Sequence, residues 1–161
     1  MSNITLEDKK ILIVDDEPDV LDSLEELLDM STIVRAQTYE DANMLLETQE
    51  FDLAILDIMG VDGYQLLETA IKKNIVTVML TAHALSPENI KKSYLGGACS
   101  YIPKEEMFNI ETFLIDVLKA KQEGKNPWTS WYKRLASFCE EKFGPDWDKD
   151  EKEFWEKMIY Y

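Results

Sequence analysis

The chain has 161 residues, 45% of them hydrophobic, and a formal net charge of -15. That hydrophobic share excludes wholesale disorder, and the length suits one domain with an appendage rather than two full domains. The acidity argues against nucleic-acid binding, whose footprint is basic, and against binding an anionic membrane; it reads as a solvated surface. The two cysteines, Cys99 and Cys139, lack metal-type spacing. One disulfide between them is an alternative, but two reduced, buried thiols are expected. The start, MSNITLEDKK, has no apolar signal core, and no apolar run is long enough to cross a bilayer, so a cytoplasmic protein is expected.

Short apolar runs alternate with segments of helical period along the chain. KILIVDD (10–16) reads as a first strand and DVLDSLEELLDM (19–30) as a first helix; TIVRA (32–36) and YEDANMLLETQ (39–49) repeat the pair. FDLAILD (51–57) is followed by GYQLLETAIKK (63–73), IVTVMLT (75–81) by PENIKKSYLGG (87–97), and ACSYIP (98–103) by NIETFLIDVLKAKQ (109–122). Several strands are apolar at consecutive positions, as expected of a parallel sheet covered on both faces. Five strands alternating with five helices predict an α/β sandwich with right-handed crossovers. The pattern breaks at KQEGKNPW (121–128), where Asn126 and Pro127 read as an N-cap and first-turn proline of a new helix. Asp148 and Glu151 resemble a capping box for a last helix, so residues 128–161 read as a helical hairpin after a linker, 123–127.

Ligands of open parallel sheets bind beyond the carboxyl ends of the strands. Here those ends carry Asp15 and Asp16, then Asp57, then Thr81, with Lys104 just past the fifth strand. Clustered carboxylates raise one another's pKa, and a divalent cation relieves the repulsion; hard oxygen donors suit Mg²⁺. A cation beside a carboxylate, a lysine and a threonine is equipment for phosphoryl transfer, with Asp57 as the in-line nucleophile.

These motifs resemble the receiver domain of two-component response regulators over roughly residues 8–122. ILIVDDEPDV resembles the family's first strand and acid pair, LAILDIM its phosphoacceptor strand, VMLTAHA its switch-threonine strand, and GGACSYIPKE its switch aromatic and lysine. The resemblance implies a chemotaxis-regulator-like five-stranded sheet of order 2-1-3-4-5 with helices on both faces. The implied receiver spans 1–122, with 128–161 as an atypical extension. It also implies that Asp57 accepts a phosphoryl group from a histidine kinase or histidine phosphotransfer protein. Asp16 would ligate Mg²⁺ directly, Asp15 mostly through water, and the Met59 backbone carbonyl would be a further ligand beside Asp57. Thr81 and Lys104 would contact phosphoryl oxygens, Tyr101 would rotate inward as Thr81 moves, and Met59 and His83 occupy positions that tune dephosphorylation. Plainer readings exist for each: Thr81 as a strand end, Lys104 as an exposed lysine, Tyr101 and Met59 as packing, His83 as a loop residue. Only the joint placement favours the site.

Two features depart from the family pattern. DIMGVDG is about two residues shorter than the usual loop after the phosphoacceptor, with Gly60 at the turn, and a proline precedes Lys104 (Pro103) where the family commonly has one after it. The extension, with six basic and eight acidic residues in 128–161, is too short and acidic for most DNA-binding outputs. It is expected either to pack on the receiver or to form a docking or homodimer surface. The reading is therefore a non-enzymatic phosphoacceptor that signals to a downstream protein, without nucleic acid or membrane. A phosphorylation-independent scaffold is the alternative, and an aspartate-nucleophile phosphatase a weaker one.

Overall fold

Five parallel strands form the centre of the computed structural model, which describes residues 4–82, 85–149 and 152–160. They are β1 (Lys10–Val14), β2 (Thr32–Ala36), β3 (Leu53–Asp57), β4 (Val76–Thr81) and β5 (Tyr101–Pro103), bonded in the order β2-β1-β3-β4-β5. This is the expected doubly wound α/β sheet. The central strand β3 buries every residue, and β1 buries Ile11 to Val14, which accounts for their unbroken apolar runs.

The crossovers are α1 (Pro18–Leu27), α2 (Tyr39–Thr48), α3 (Gly63–Lys72) and α4 (Pro87–Leu95), and α5 (Ile110–Glu123) follows β5. The helices α1 and α5 pack together, as do α2 and α3, which covers both faces of the sheet. Local chemistry sets the helix starts. Thr38 and Ser86 accept hydrogen bonds from the N–H groups of Asp41 and Asn89, and Pro18 and Pro87 open α1 and α4. The fifth strand is shorter than the expected 98–103, although Cys99 N already donates to Thr77 O at 2.8 Å. A 3₁₀ helix, Lys104–Asn109, joins β5 to α5, with Pro103 at its head.

The two sheet edges are protected differently. On β2, Arg35 pairs with Asp22 and Glu25 of α1 at 2.8 and 3.3 Å. On β5, the cover comes from α6 (Pro127–Phe143), whose buried Trp128 and Trp131 donate their indole N–H groups to Ala98 O at 3.0 Å and Tyr101 O at 2.7 Å. The extension is thus the expected helical pair, completed by α7 (Lys152–Tyr160), and it packs on the receiver. Asn126 caps α6 as expected, accepting from Trp128 N at 3.0 Å, and its amide also donates to Met158 O of α7. Edge-to-face rings run from Tyr94 of α4 to Trp128 and Phe154, and from Phe154 through Trp155 to Trp147. Glu151, half of the expected capping box, lies outside the described residues; Asp148 accepts from the Tyr132 hydroxyl at 3.3 Å.

Cys99 and Cys139 are both free and buried, as expected of reduced thiols. Burial pushes the Cys139 thiol up to about 12, with Asp148 adding to the shift. Among the described residues, no helix is long and apolar enough to cross a membrane.

Candidate functional site

The parallel register fixes which side chains share the carboxyl edge. Val14 pairs with Leu56, which sets Asp15, just past β1, beside Asp57 of β3; Asp57 pairs with Leu80, so Thr81 follows one residue further along β4. All three are buried. Pro103 pairs with Thr81, which puts Lys104 on the same edge one residue later.

Lys104 is the hub. Its Nζ lies 2.8 Å from Asp15 Oδ2, 3.3 Å from Glu17 Oε1 and 3.7 Å from Asp57 Oδ1. Glu17 accepts a hydrogen bond from this ammonium, and Asp15 is its closer ion-pair partner. Asp15 Oδ2 is buried and, beyond its ion pair with Lys104, has no hydrogen-bond partner among the described residues, while its Oδ1 accepts from Glu17 N at 2.9 Å. Burial raises the pKa of Asp15, against the opposing pull of Lys104. Burial, reinforced by Asp15, pushes Asp57 up to about 7 even though Lys104 opposes it. For Lys104 itself burial pulls the pKa down, but the surrounding carboxylates outweigh it and the ammonium is held above its ordinary value.

A divalent cation fits this donor set. Carboxylate oxygens of Asp15, Asp16 and Glu17 lie within 4.8 Å of one another, and the orphaned Asp15 Oδ2 is an oxygen that a cation would satisfy.

The tight turn after β3 has a steric origin. Gly63 N donates to Ile58 O at 3.0 Å, closing the loop, and Asp62 takes a left-handed φ of 53°. A Cβ on Gly63 would lie 2.0 Å from the backbone oxygen of Asp57, so α3 starts directly against the end of β3, where only glycine fits. This turn carries Met59 outward: its side chain is 53% exposed, not packed as its plainer reading expected. Tyr101 is buried in this structure, and its hydroxyl accepts a long 3.4 Å bond from Ser86 N at the head of α4. Burial raises the pKa of the Tyr101 phenol. His83 lies outside the described residues.

The structure therefore brings together Asp15, Asp57, Thr81 and Lys104, with Asp16 exposed beside them. Sequence reasoning missed Glu17. Its signal was present, since it directly follows the acid pair, but nothing local announces that Lys104, 87 residues later, reaches it.

A buried aspartate at a strand end, ion-paired to a lysine and flanked by acids suited to a cation, defines an aspartate-centred site on a doubly wound sheet. Residues 11–113 match the response regulator receiver domain, and the chain belongs to that family. It is 32% identical over 130 residues to the two-component response regulator ARR10 of Arabidopsis thaliana, covering 73% of this chain and 23% of that protein. It is 38% identical over 101 residues to the heme response regulator HssR of Staphylococcus aureus strain Newman, covering 58% of this chain and 43% of that one. The chain thus spans less than half the length of these relatives. Among solved structures, a CheY-like receiver domain protein from Methanospirillum hungatei superposes with a TM-score of 0.63 at 30% identity, covering 73% of this chain and 99% of that one. The response regulator DrrB of Thermotoga maritima gives 0.61 at 25% identity, covering 74% and 55%.

Proposed function

We propose that this receiver takes a phosphoryl group onto Asp57 from a histidine kinase or histidine phosphotransfer protein, with Mg²⁺ bound, and signals through protein contacts. The observation that carries the reading is the convergence of Asp15, Glu17 and Asp57 on one lysine at the carboxyl edge of the sheet. A carboxylate oxygen of Asp57 attacks phosphorus, an O–P bond forms as the donor's N–P bond breaks, and the imidazole leaves. Asp57 is held by β3 at a fixed distance from Lys104, so little reorganisation is needed. The Lys104 ammonium pairs with phosphoryl oxygens, and the Thr81 hydroxyl donates to another. Asp15 and Asp16, with Asp57 and the Met59 carbonyl, would hold the cation, which would neutralise charge on the transferring group. Activity is self-directed: the chain gains and loses its own phosphoryl group and turns over no other substrate.

The extension supports output through protein contacts. Trp131 bonds to the backbone of Tyr101, in the strand that leads directly to Lys104, so the hairpin senses β5 without touching the acids. A receiver of 1–122 and an extension of 128–161 are accordingly two functional parts of one packed body.

The test is intact mass after incubation with a small acyl phosphate, with and without Mg²⁺, for wild type and Asp57→Asn. A phosphoryl adduct that needs both Mg²⁺ and Asp57 is expected. An unmodified wild type would sink the reading in favour of a scaffold that works without phosphorylation.

A further inference from the structure

The shortened loop after Asp57 does more than close a turn. It lays Gly60 against Asp16: a Cβ built at position 60 would stand 2.6 Å from Asp16 Oδ2, 2.8 Å from its Cγ and 3.0 Å from its Oδ1. These three nearest atoms all belong to one carboxylate, and none is backbone. Position 60 is therefore shaped by the Asp16 side chain, and conversely Asp16 stands in space that a side chain at 60 would fill. Beside it are the Asp15 oxygen without a hydrogen-bond partner, which is fully buried, and the Glu17 carboxylate within 4.8 Å.

We propose that Gly60 is a positioning residue for the cation seat: its missing side chain leaves the room in which the Asp16 carboxylate stands beside Asp15 and Glu17. The proposal rests on reading the acid cluster as that seat. Asp16 is exposed, so its carboxylate has solvent to swing into. Any side chain at 60 would push it there, at a measurable cost to the fold and at a larger cost to the cation, because a donor moved by an ångström no longer meets a hard ion's geometry. A long loop could pass the acid pair at a distance; a short one must cross it, and glycine is what allows the crossing. The positive φ of Gly60, 86°, is a separate requirement of the same turn.

Backbone strain and displaced carboxylate are separable by a double-mutant cycle. Mg²⁺ is titrated calorimetrically, far into the millimolar range, into wild type, Gly60→Ala, Asp16→Ala and the double variant, and each is unfolded in urea. Gly60→Ala is expected to weaken Mg²⁺ binding by about tenfold, the effect of disturbing what orients a metal ligand. On the Asp16→Ala background, where the clashing atoms are gone, it is expected to change binding by less than about twofold and to lose less stability than on wild type. Equal losses on both backgrounds would mean that Gly60 acts through strain alone and would overturn the proposal, as would unchanged binding in Gly60→Ala. If Asp16→Ala abolishes binding, the urea data decide: a smaller stability loss on that background supports the proposal, an equal one overturns it. A wild type that takes up no Mg²⁺ sinks the cation seat itself, a result distinct from a wild type that binds and a Gly60→Ala that binds equally well.

Discussion

At the carboxyl edge two aspartates are buried around one lysine, and one of their oxygens has no partner beyond that lysine among the described residues. On the β5 edge two buried indoles each reach a backbone carbonyl, at 3.0 and 2.7 Å. Both regions place polar groups out of water; one pairs each donor with its own carbonyl, and the other shares one ammonium among several carboxylates. Burial beside a single ammonium leaves both aspartates with raised pKa values, a cost that the indole bonds do not carry. The contrast separates the hairpin, whose bonds secure the fold, from the acid cluster, whose buried charge works against it.

The largest effect is expected where the hairpin meets β5. Trp131→Ala removes a buried ring and the bond to Tyr101 O, and should cost about 3–5 kcal/mol. All four tryptophans lie at 128–155, so intrinsic fluorescence follows the extension while circular dichroism follows the whole chain. Urea unfolding read by both probes should give coincident transitions that shift together. A variant in which only the fluorescence transition moves would show that the hairpin is a detachable appendage, and the contrast with the acid cluster would lose its meaning.

A smaller effect, of opposite sign, is expected at the acid cluster. The folded-state pKa of Asp57 is about 7 against an ordinary 3.8, so folding takes up a proton there. Stability from this group is therefore present below pH 3.8 and is lost as pH rises through about 7. In chelator, Asp57→Asn should be more stable than wild type at pH 8 by about 2–4 kcal/mol, because the variant buries no charge there. At pH 4 the two should unfold at nearly the same urea concentration. Equal stability at pH 8 would mean that the Lys104 pair fully compensates the buried charge, and the site would then resemble the hairpin rather than contrast with it.

The same contrast explains what could be read from the sequence. The strands were legible because residues buried on both faces leave consecutive apolar runs, as in Leu53–Leu56. The acids were legible because each ends such a run, and a parallel register then carries Asp15, Asp57 and Thr81 to one edge. Where the hairpin docks was not legible. Helical spacing shows that Trp128 and Trp131 share a face, but their partners are carbonyls 30 residues back, and a backbone oxygen leaves no mark in a sequence. The 3₁₀ helix Lys104–Asn109 escaped because six residues, with two glutamates at the front, give no helical period to detect. Gly60 was legible as a turn residue, but its contact with Asp16 follows from how short the loop is in space.

The smallest effect tests what kind of surface holds the hairpin in place. Arg134 of α6 forms a two-pronged pair with Asp116 of α5, with Nη2 donating to Asp116 Oδ1 at 3.2 Å, and the arginine side chain is 45% exposed. Exposed pairs are worth about 0–1 kcal/mol, because water screens the attraction and both side chains lose freedom. Arg134→Ala should therefore lower stability by about 1 kcal/mol or less, a fraction of the Trp131→Ala loss. Raising salt to about 1 M, where screening acts within about 3 Å, should reproduce most of that small loss in wild type and none in the variant. A docking surface made of charges would fail under both treatments. One made of rings and indole bonds should barely respond, because desolvated hydrogen bonds and apolar area lie beyond the reach of the salt.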